Sequence, residues 1–256
     1  MPVLNLEKIG RPICRVVGGY YNNKLVSVAT QDEEEEEVNK PFTHFVASEG
    51  KFQQVPDPNT ERQILYITGA SGSGKSTYCV SFLKEYKKKF KDHPIYVFSS
   101  LDSDETLDQI SDLKRIIIDK TLATDPIAVD SLKNSVCVFD DVDVIGDKET
   151  RAAVYTLLNQ CLEVGRHHNI YLLITNHLAT NGKDTRRILN EAHTITYFPH
   201  SGSSHGARYL LEKYCGLDKK EIMKQKKMKS RWVTIFKHYP TIVLSERNVY
   251  MLSAED

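Results

Sequence analysis

Residues 69–76 read Gly-Ala-Ser-Gly-Ser-Gly-Lys-Ser and match the phosphate-binding pattern G-x-x-x-x-G-K-S/T in full. The apolar run 64–68 precedes them, as a strand precedes such a loop. Glycines let successive backbone N–H groups turn towards phosphates, and the next helix adds the positive end of its dipole. We therefore predict a site for ATP and Mg²⁺. Lys75 would contact the phosphates, Ser76 would also bind magnesium, and the full cradle would be Gly69, Ala70, Ser71, Gly72, Ser73, Gly74, Lys75, Ser76 and Thr77.

Two adjacent carboxylates, Asp140 and Asp141, follow the apolar run 136–139. Ligands of open α/β sheets bind at the carboxyl ends of the strands, where these side chains are expected to lie. Asp140 would hold the magnesium through its water shell. Asp141 would orient the attacking water and remove its proton. Alone, the pair is equally typical of a strand that runs into a polar turn.

Polar residues also follow the predicted strand 171–175. Asn176 is the candidate for sensing the γ-phosphate, because an amide can hydrogen-bond both water and phosphate. Turn formation is the alternative role for this residue. His167, His168 and His177 lack partners with the spacing of metal ligands, so we expect polar packing from them.

Two arginines are candidates for a contact between subunits. Arg166 could act as an arginine finger on the triphosphate of a neighbouring subunit. A surface salt bridge is the simpler role for such a side chain. Arg187, next to Arg186, could serve the nucleotide of its own or of the next subunit, or belong to a solvated helix start.

Apolar runs alternate with helical stretches from residue 64 onward, which is typical of a mainly parallel sheet covered by helices on both faces. The predicted strands span 64–68, 95–99, 115–118, 136–140, 171–175 and 194–198. The predicted helices span 75–90, 106–113 and 148–164. After residue 209, we predict a helix that ends at residue 215, a basic helix over 217–228 and strands over 232–236, 241–244 and 249–252.

The first 60 residues differ in pattern from the rest. Short β-like runs at 13–17, 24–28 and 42–46 indicate a small β-rich appendage. The acidic tract 32–37 is expected to be a solvated loop, because six adjacent acids repel one another. We therefore predict an appendage over 1–60 and an ATPase domain over 61–256 with a basic C-terminal extension.

The composition limits the class of protein. Length and an apolar fraction of 40% fit one large α/β domain, and 34 basic residues balance 34 acidic ones. No run of about 20 apolar residues or secretion signal is present, so we expect a soluble, intracellular protein without a membrane segment. Reduced, mostly buried thiols are expected because no C-x-x-C spacing links Cys14, Cys79, Cys137, Cys161 and Cys215.

A local basic cluster lies between residues 213 and 237. It holds nine basic and two acidic residues, a net charge of +7. Such a cluster can displace counterions from a nucleic-acid backbone, although an exposed amphipathic helix is an equal alternative.

Five segments together carry a family resemblance: residues 69–77, 98–104, 136–141, 165–169 and 187–190. They resemble the genome-packaging ATPases of large nucleocytoplasmic DNA viruses, of the poxvirus type, within the FtsK/HerA superfamily of P-loop NTPases. The resemblance covers roughly residues 60–200. It implies a ring of identical subunits that uses ATP to translocate double-stranded DNA into a capsid. It further implies capsid or procapsid partners and a place in the virion or at the viral assembly site.

The loop sequence is also typical of small-molecule kinases, so the loop alone does not distinguish a kinase from an ATPase. The order of strands in the sheet distinguishes these two classes of P-loop protein. Kinase-like proteins place the loop strand beside the acid-tipped strand, whereas the RecA/FtsK-like group has an additional strand between them. The tandem Asp140 and Asp141 and the polar Asn176 favour the second group. Members of the FtsK/HerA superfamily commonly have Glu at the position of Asp141 and Gln at that of Asn176. A nucleoside or sugar kinase and a nucleotide-gated assembly or scaffold protein stay open as alternatives.

Overall fold

The apolar runs form the strands of two β-sheets in a computed structural model that describes residues 1–252. Their bounds are β1 Val3–Asn5, β2 Arg11–Val17, β3 Leu25–Ala29, β4 His44–Val46, β5 Lys51–Gln54, β6 Ile64–Thr68, β7 Ile95–Ser99, β8 Leu113–Ile117, β9 Ser135–Phe139, β10 Ile170–Asn176, β11 Thr194–Tyr197, β12 Val233–Phe236, β13 Ile242–Ser245 and β14 Asn248–Met251. The helices are α1 Asp32–Glu37, α2 Lys75–Lys89, α3 Thr121–Thr124, α4 Lys148–Val164, α5 Gly182–Glu191, α6 Ser204–Tyr214 and α7 Lys219–Lys226. Within residues 1–252, none of these helices is long and apolar enough to cross a membrane.

The large sheet has ten strands in the order β4-β14-β13-β12-β11-β6-β10-β9-β7-β8. The six strands from β11 to the edge strand β8 are mutually parallel. Strand β10 lies between the loop strand β6 and the acid-tipped strand β9. This order confirms the predicted α/β fold of the additional-strand type.

The two faces of the large sheet pack against different helices, because successive side chains of a strand point to opposite faces. In β6, Leu65 and Ile67 pack on the α2 side with Phe82. Ile64 and Tyr66 pack on the other side, in a cluster that includes α4 and α5 residues. The phosphate loop therefore leaves the sheet towards α2.

The N-terminal segment contributes to both sheets. Strands β1, β3, β2 and β5 form the four-stranded sheet, whereas β4 pairs with β14 at the edge of the large one. The sequence did not predict β1 or β5. The domain boundary at residue 60 stays a prediction.

Two local predictions were wrong. The acidic tract forms the short helix α1 instead of a loop, since four of its acids lie in the first turn beside the positive end of the helix dipole. The expected helix over 106–113 is only a 3₁₀ turn, Leu107–Gln109, because the Asp104 carboxylate accepts hydrogen bonds from the N–H groups of Thr106 and Leu107. All five cysteines are free thiols, and four of them are buried, as expected.

Candidate active site

The phosphate loop connects β6 to α2 in a conformation that needs glycine. Gly72 and Gly74 have φ angles of 72° and 108°, in the left-handed region that side chains disfavour. The backbone N–H of Gly69 donates to the carbonyl of Asn176 at 3.1 Å. This bond fixes the start of the loop to the end of β10.

Lys75, the first residue of α2, is buried and faces the acidic strand. Its Nζ donates to the carbonyl oxygen of Gly69 at 3.0 Å and lies 3.3 Å from Oδ1 of Asp141. The fold thus brings the loop lysine and the second carboxylate into direct contact, although 65 residues separate them in sequence.

Asp140 is a buried carboxylate supported by two hydroxyl groups. Ser99 Oγ donates to its Oδ2 at 3.1 Å, and Thr175 Oγ1 lies 2.9 Å from its Oδ1. Burial, followed by the charge of Asp141, raises the pKa of Asp140. A cation beside Asp140 would relieve both effects, so this carboxylate fits a magnesium ion.

Ser76, the other predicted magnesium ligand, donates from Oγ to Oδ2 of Asp104 at 3.5 Å. Asp104 also adds to the negative charge that raises the pKa of Asp140. Within residues 1–252, no three His, Cys, Asp or Glu side chains could hold a metal by themselves. The arrangement fits Mg²⁺, which in nucleotide sites takes few protein ligands and completes its shell with phosphate oxygens and water.

Asp141 is held in a special backbone conformation by its neighbours. Its φ angle is 48°, in the left-handed region, and its N–H donates to Thr175 Oγ1 at 2.8 Å. His177 Nε2 lies 2.8 Å from Oδ2 of Asp141. The Asp143 carboxylate accepts from the backbone N–H of His177 at 3.0 Å, which fixes the start of the segment after β10.

Asn176, the predicted γ-phosphate sensor, does not join this group. Its side chain is fully buried on the opposite face of the sheet, where Nδ2 donates to the hydroxyl of Tyr66 at 3.1 Å. Thr175 takes the position beside the carboxylates, since Ile174 pairs with Phe139 and the next residues of both strands are therefore neighbours.

The structure also places Arg166 and Arg187 away from Lys75. Arg166 precedes β10, at the amino ends of the parallel strands, and its Nε pairs with Glu61 at 3.1 Å. The phosphate loop lies at their carboxyl ends, roughly 16 Å away along the strand direction. Arg187 pairs with Glu163 at 2.5 Å. Neither arginine therefore contacts the loop of its own chain.

Two hollows flank the phosphate loop on the side of the C-terminal strands. One, of about 260 Å³, is lined by Gly74, Tyr78, Phe198 and Trp232 among others. The second is more open, and Lys229 and Arg231 of the basic cluster line it together with Ser71, Gly72 and Ser73. Part of the basic cluster, for which nucleic-acid binding and an exposed amphipathic helix were equal alternatives, thus lies beside the loop.

Sequence reasoning missed three residues of this site: Ser99, Thr175 and His177 as a partner of Asp141. Each lies at the carboxyl end of a parallel strand or just beyond it. Their positions at the ends of predicted strands were the signal by which the sequence could have identified them. The pairing register, which the sequence does not contain, was needed to choose Thr175 over Asn176.

Comparison with known proteins gives two family-level matches. The family model described as Nephrocystin 3, N-terminal matches residues 44–176, just over half of the chain. Uncharacterized protein V3 of Sputnik virophage is 41% identical over 251 residues, which cover 97% of this chain and 98% of V3. The chain belongs to the Nephrocystin 3, N-terminal family and to the family of V3.

Two solved structures resemble this V3-family chain in fold. The pCW3 conjugation coupling protein TcpA, solved with ATPγS, has a TM-score of 0.54 and 16% identity over 91% of this chain and 76% of TcpA. The genome packaging NTPase B204 of Sulfolobus turreted icosahedral virus 2, solved with AMPPCP, has a TM-score of 0.50 and 14% identity over 73% of this chain and 98% of B204. At these identities the likeness extends to the fold.

Proposed function

We propose that this chain is an ATP-hydrolysing motor that translocates double-stranded DNA, and that it packages a viral genome. The arrangement of Lys75 and Asp141 carries the hydrolytic part of the proposal. Lys75 Nζ lies 3.3 Å from Asp141, and β10 separates the strands that precede these two residues. This strand order supports an ATPase over a nucleoside or sugar kinase, in which the two strands would be neighbours.

The residues take distinct roles in hydrolysis. Backbone N–H groups of 69–77 hold the phosphates, and Lys75 neutralises charge on them. Asp141 takes a proton from water while the water oxygen bonds to the γ-phosphorus. The bond between this phosphorus and the oxygen bridging to the β-phosphate breaks, which yields ADP and phosphate. Thr175 and His177 hold the Asp141 carboxylate in place.

Ser76 and Asp140 would hold the magnesium ion, which neutralises phosphate charge when bound. The hollow beside Gly74 offers the rings of Phe198 and Trp232, so it is a suitable place for the nucleobase. In solution, Lys75→Ala should therefore lose ATP binding, whereas Asp141→Asn should bind ATP without turning it over.

Three observations support double-stranded DNA as the proposed substrate of the motor. The similar folds of B204 and TcpA belong to a genome packaging protein and a conjugation coupling protein. The V3 relative is a virophage protein. Basic side chains around α7, including Lys219 and Lys227, are exposed and can contact a phosphate backbone.

A ring of identical subunits is the proposed working form. Arg166 and Arg187 lie far from the loop of their own chain, so either could act only on the nucleotide of a neighbour. An arginine in that role raises turnover about 10³- to 10⁵-fold. Two mixtures would identify the arginine finger: Arg187→Ala protein with Lys75→Ala protein, and Arg166→Ala protein with Lys75→Ala protein. In a mixed ring, the Lys75→Ala subunit still supplies its arginines to a neighbour that binds ATP. Turnover should therefore recover in the mixture that contains the variant of the true finger.

DNA-stimulated phosphate release by the purified protein tests the proposal. We expect the rate to rise with added duplex DNA and to fall again as salt is increased. Asp141→Asn protein is the control for contaminating ATPases. Phosphate transfer to nucleosides or sugars, without release of free phosphate, would favour a kinase. Assembly on a non-hydrolysable ATP analogue without any turnover would favour a scaffold.

A further inference from the structure

A second polar cavity lies at the edge of the large sheet opposite the phosphate loop. Its volume is about 300 Å³. It opens where β6 and β11 begin and β12 ends, beside β2 of the N-terminal sheet. We call it the amino-edge cavity, and its lining includes Arg11, Asp57, Arg62, His193, Thr194 and His238.

Arg11 is the unexplained cation of this cavity. Its guanidinium group makes no hydrogen bond or ion pair within residues 1–252, and its Nη2 atom is fully buried. Burial lowers the pKa of its guanidinium group, and the charge of Asp57 acts in the opposite direction. A buried N–H donor that is removed from water costs free energy unless it donates to an acceptor, and the Nη2 atom of Arg11 has none within residues 1–252.

Thr194 supplies a second unused polar group. It is 1% exposed, it lines the cavity, and its Oγ1 has no hydrogen-bond partner within the part of the chain that the structure describes. Buried hydroxyl groups are nearly always hydrogen-bonded in native proteins. A bound group that accepts a hydrogen bond from Thr194 would account for this exception.

His193 adds a neutral donor. Its Nδ1 accepts a hydrogen bond from the backbone N–H of Ile64 at 2.8 Å, so the neutral ring carries its proton on Nε2. Burial, together with the nearby His238 and Arg62, lowers the pKa of His193 to about 4. The ring is therefore a neutral N–H donor at pH 7.

The other cations of the lining already have partners. Arg62 Nη1 donates to the carbonyls of Cys161 and Leu162 at 3.0 and 2.9 Å. Arg166 pairs with Glu61 at the surface. Asp57 is buried, accepts from the N–H of Asn59 at 2.9 Å and acts on Arg11 through its charge, with no hydrogen bond between the two side chains within residues 1–252. The donors of Arg11, Thr194 and His193 are left over, and hydrogen-bond donors beside a guanidinium group are the complement of an oxyanion.

We propose that the amino-edge cavity binds a phosphate group, at a site separate from the triphosphate at the phosphate loop. Arg11 supplies the charge, and Thr194 and His193 donate hydrogen bonds. The volume accommodates a free phosphate ion or the phosphate of a small monoester.

Calorimetric titration tests the site in a Lys75→Ala background, which removes phosphate binding at the loop. Inorganic phosphate and AMP are the two probes, and the tighter one identifies the source of the phosphate group. We expect one site per chain, and binding at least about tenfold weaker in Arg11→Gln, because the variant loses a charge-assisted hydrogen bond to the phosphate. Thr194→Val should weaken binding several-fold. Arg208→Gln removes an equal charge from an exposed ion pair and should leave binding unchanged.

Thermal unfolding separates loss of the site from loss of the fold. In phosphate-free buffer Arg11→Gln should still unfold in one cooperative transition, at a temperature lowered by no more than the loss of the charge interaction with Asp57, because the Nη2 atom of Arg11 makes no hydrogen bond that the variant would break. Phosphate should raise the unfolding temperature of Lys75→Ala protein but not that of the Arg11→Gln, Lys75→Ala double variant. The proposal is overturned if Lys75→Ala protein binds neither probe, or if folded Arg11→Gln and Thr194→Val variants bind them as tightly as the parent.

Discussion

Asp140 and Asp141 are adjacent in sequence and have different surroundings. Asp140 is buried between the hydroxyls of Ser99 and Thr175. Asp141 turns away through a left-handed backbone and contacts Lys75 and His177. A buried carboxylate beside a second negative charge suits a cation, whereas a more exposed one can approach water. Their environments therefore support different roles for the two side chains.

We predict that His177 positions Asp141 for proton abstraction. His177→Ala should lower kcat for ATP hydrolysis about tenfold to hundredfold with little change in KM, because the 2.8 Å contact aligns the base without touching ATP. Steady-state phosphate release measures both constants. His177→Gln should recover part of kcat, and exposed His205→Ala should change neither constant. A raised KM at unchanged kcat would contradict the assignment.

We predict that Asn176 supports stability more than turnover. Asn176→Ala should lower the free energy of unfolding by about 1–3 kcal/mol, since it removes the hydrogen bond to buried Tyr66. Its kcat should stay within a few-fold of the parent, whereas Thr175→Val should lower kcat by about tenfold or more. Urea unfolding and phosphate release measure the two effects. Abolished turnover in a stably folded Asn176→Ala protein would restore Asn176 as the γ-phosphate sensor.

At the scale of elements, β10 links the two halves of the candidate site. It pairs with β6 on one side and with β9 on the other, so it sets the distance between the phosphate loop and the carboxylates. Its carboxyl end supplies the carbonyl that anchors Gly69 and the hydroxyl that supports Asp140. A strand in this position connects nucleotide binding to water activation.

Helix α2 is connected to both sheets through one hydroxyl group. Tyr78 OH is hydrogen-bonded to Gln54 of β5 and lies 2.7 Å from Thr234 Oγ1 of β12. We predict that Tyr78→Phe lowers the free energy of unfolding by about 1–3 kcal/mol, because the buried partners lose their hydrogen bond. Urea unfolding measures the change, with the exposed Tyr209→Phe as the matched control. Equal stability of the two variants would show that this connection contributes little.

At the scale of the whole molecule, the C-terminal basic cluster divides into parts with different surroundings. Lys229 and Arg231 line the hollow beside the phosphate loop. Lys237 is half-buried and donates to the carbonyls of Leu189 and Asn190. Lys219 and Lys227 are exposed. The net charge of +7 counted over residues 213–237 therefore overstates the positive charge that is available to contact a DNA backbone.

We predict that Lys219 and Lys227 contact DNA phosphates. The double variant Lys219→Gln, Lys227→Gln should weaken duplex DNA binding and reduce the slope of log K against log salt by about 2, one unit for each lost phosphate contact. Fluorescence anisotropy across a salt series measures the slope. The variant Lys84→Gln, Lys89→Gln removes the same charge from exposed positions of α2 and should keep the parent slope. An equal loss in both variants would point to a general charge effect.

Much of the fold was readable from the sequence because long apolar runs specify buried parallel strands whatever their neighbours are. Strands β6 and β7 and helix α4 have the predicted bounds. The failures were local. The acidic helix α1 and the turn at Leu107–Gln109 depend on a helix dipole and on side-chain hydrogen bonds, which an apolar pattern does not encode.

The sequence by itself determined the phosphate loop, because its glycines, lysine and serine act through the local backbone of a single strand, turn and helix. It also predicted that two carboxylates stand at a strand end. Only the tertiary structure decided which side chains meet there. Strand order and register bring Thr175 to Asp140 and turn Asn176 to the opposite face, since a shift of one residue reverses the direction of a side chain. Contacts across a sheet depend on pairing between distant segments, and that pairing is a property of the folded chain.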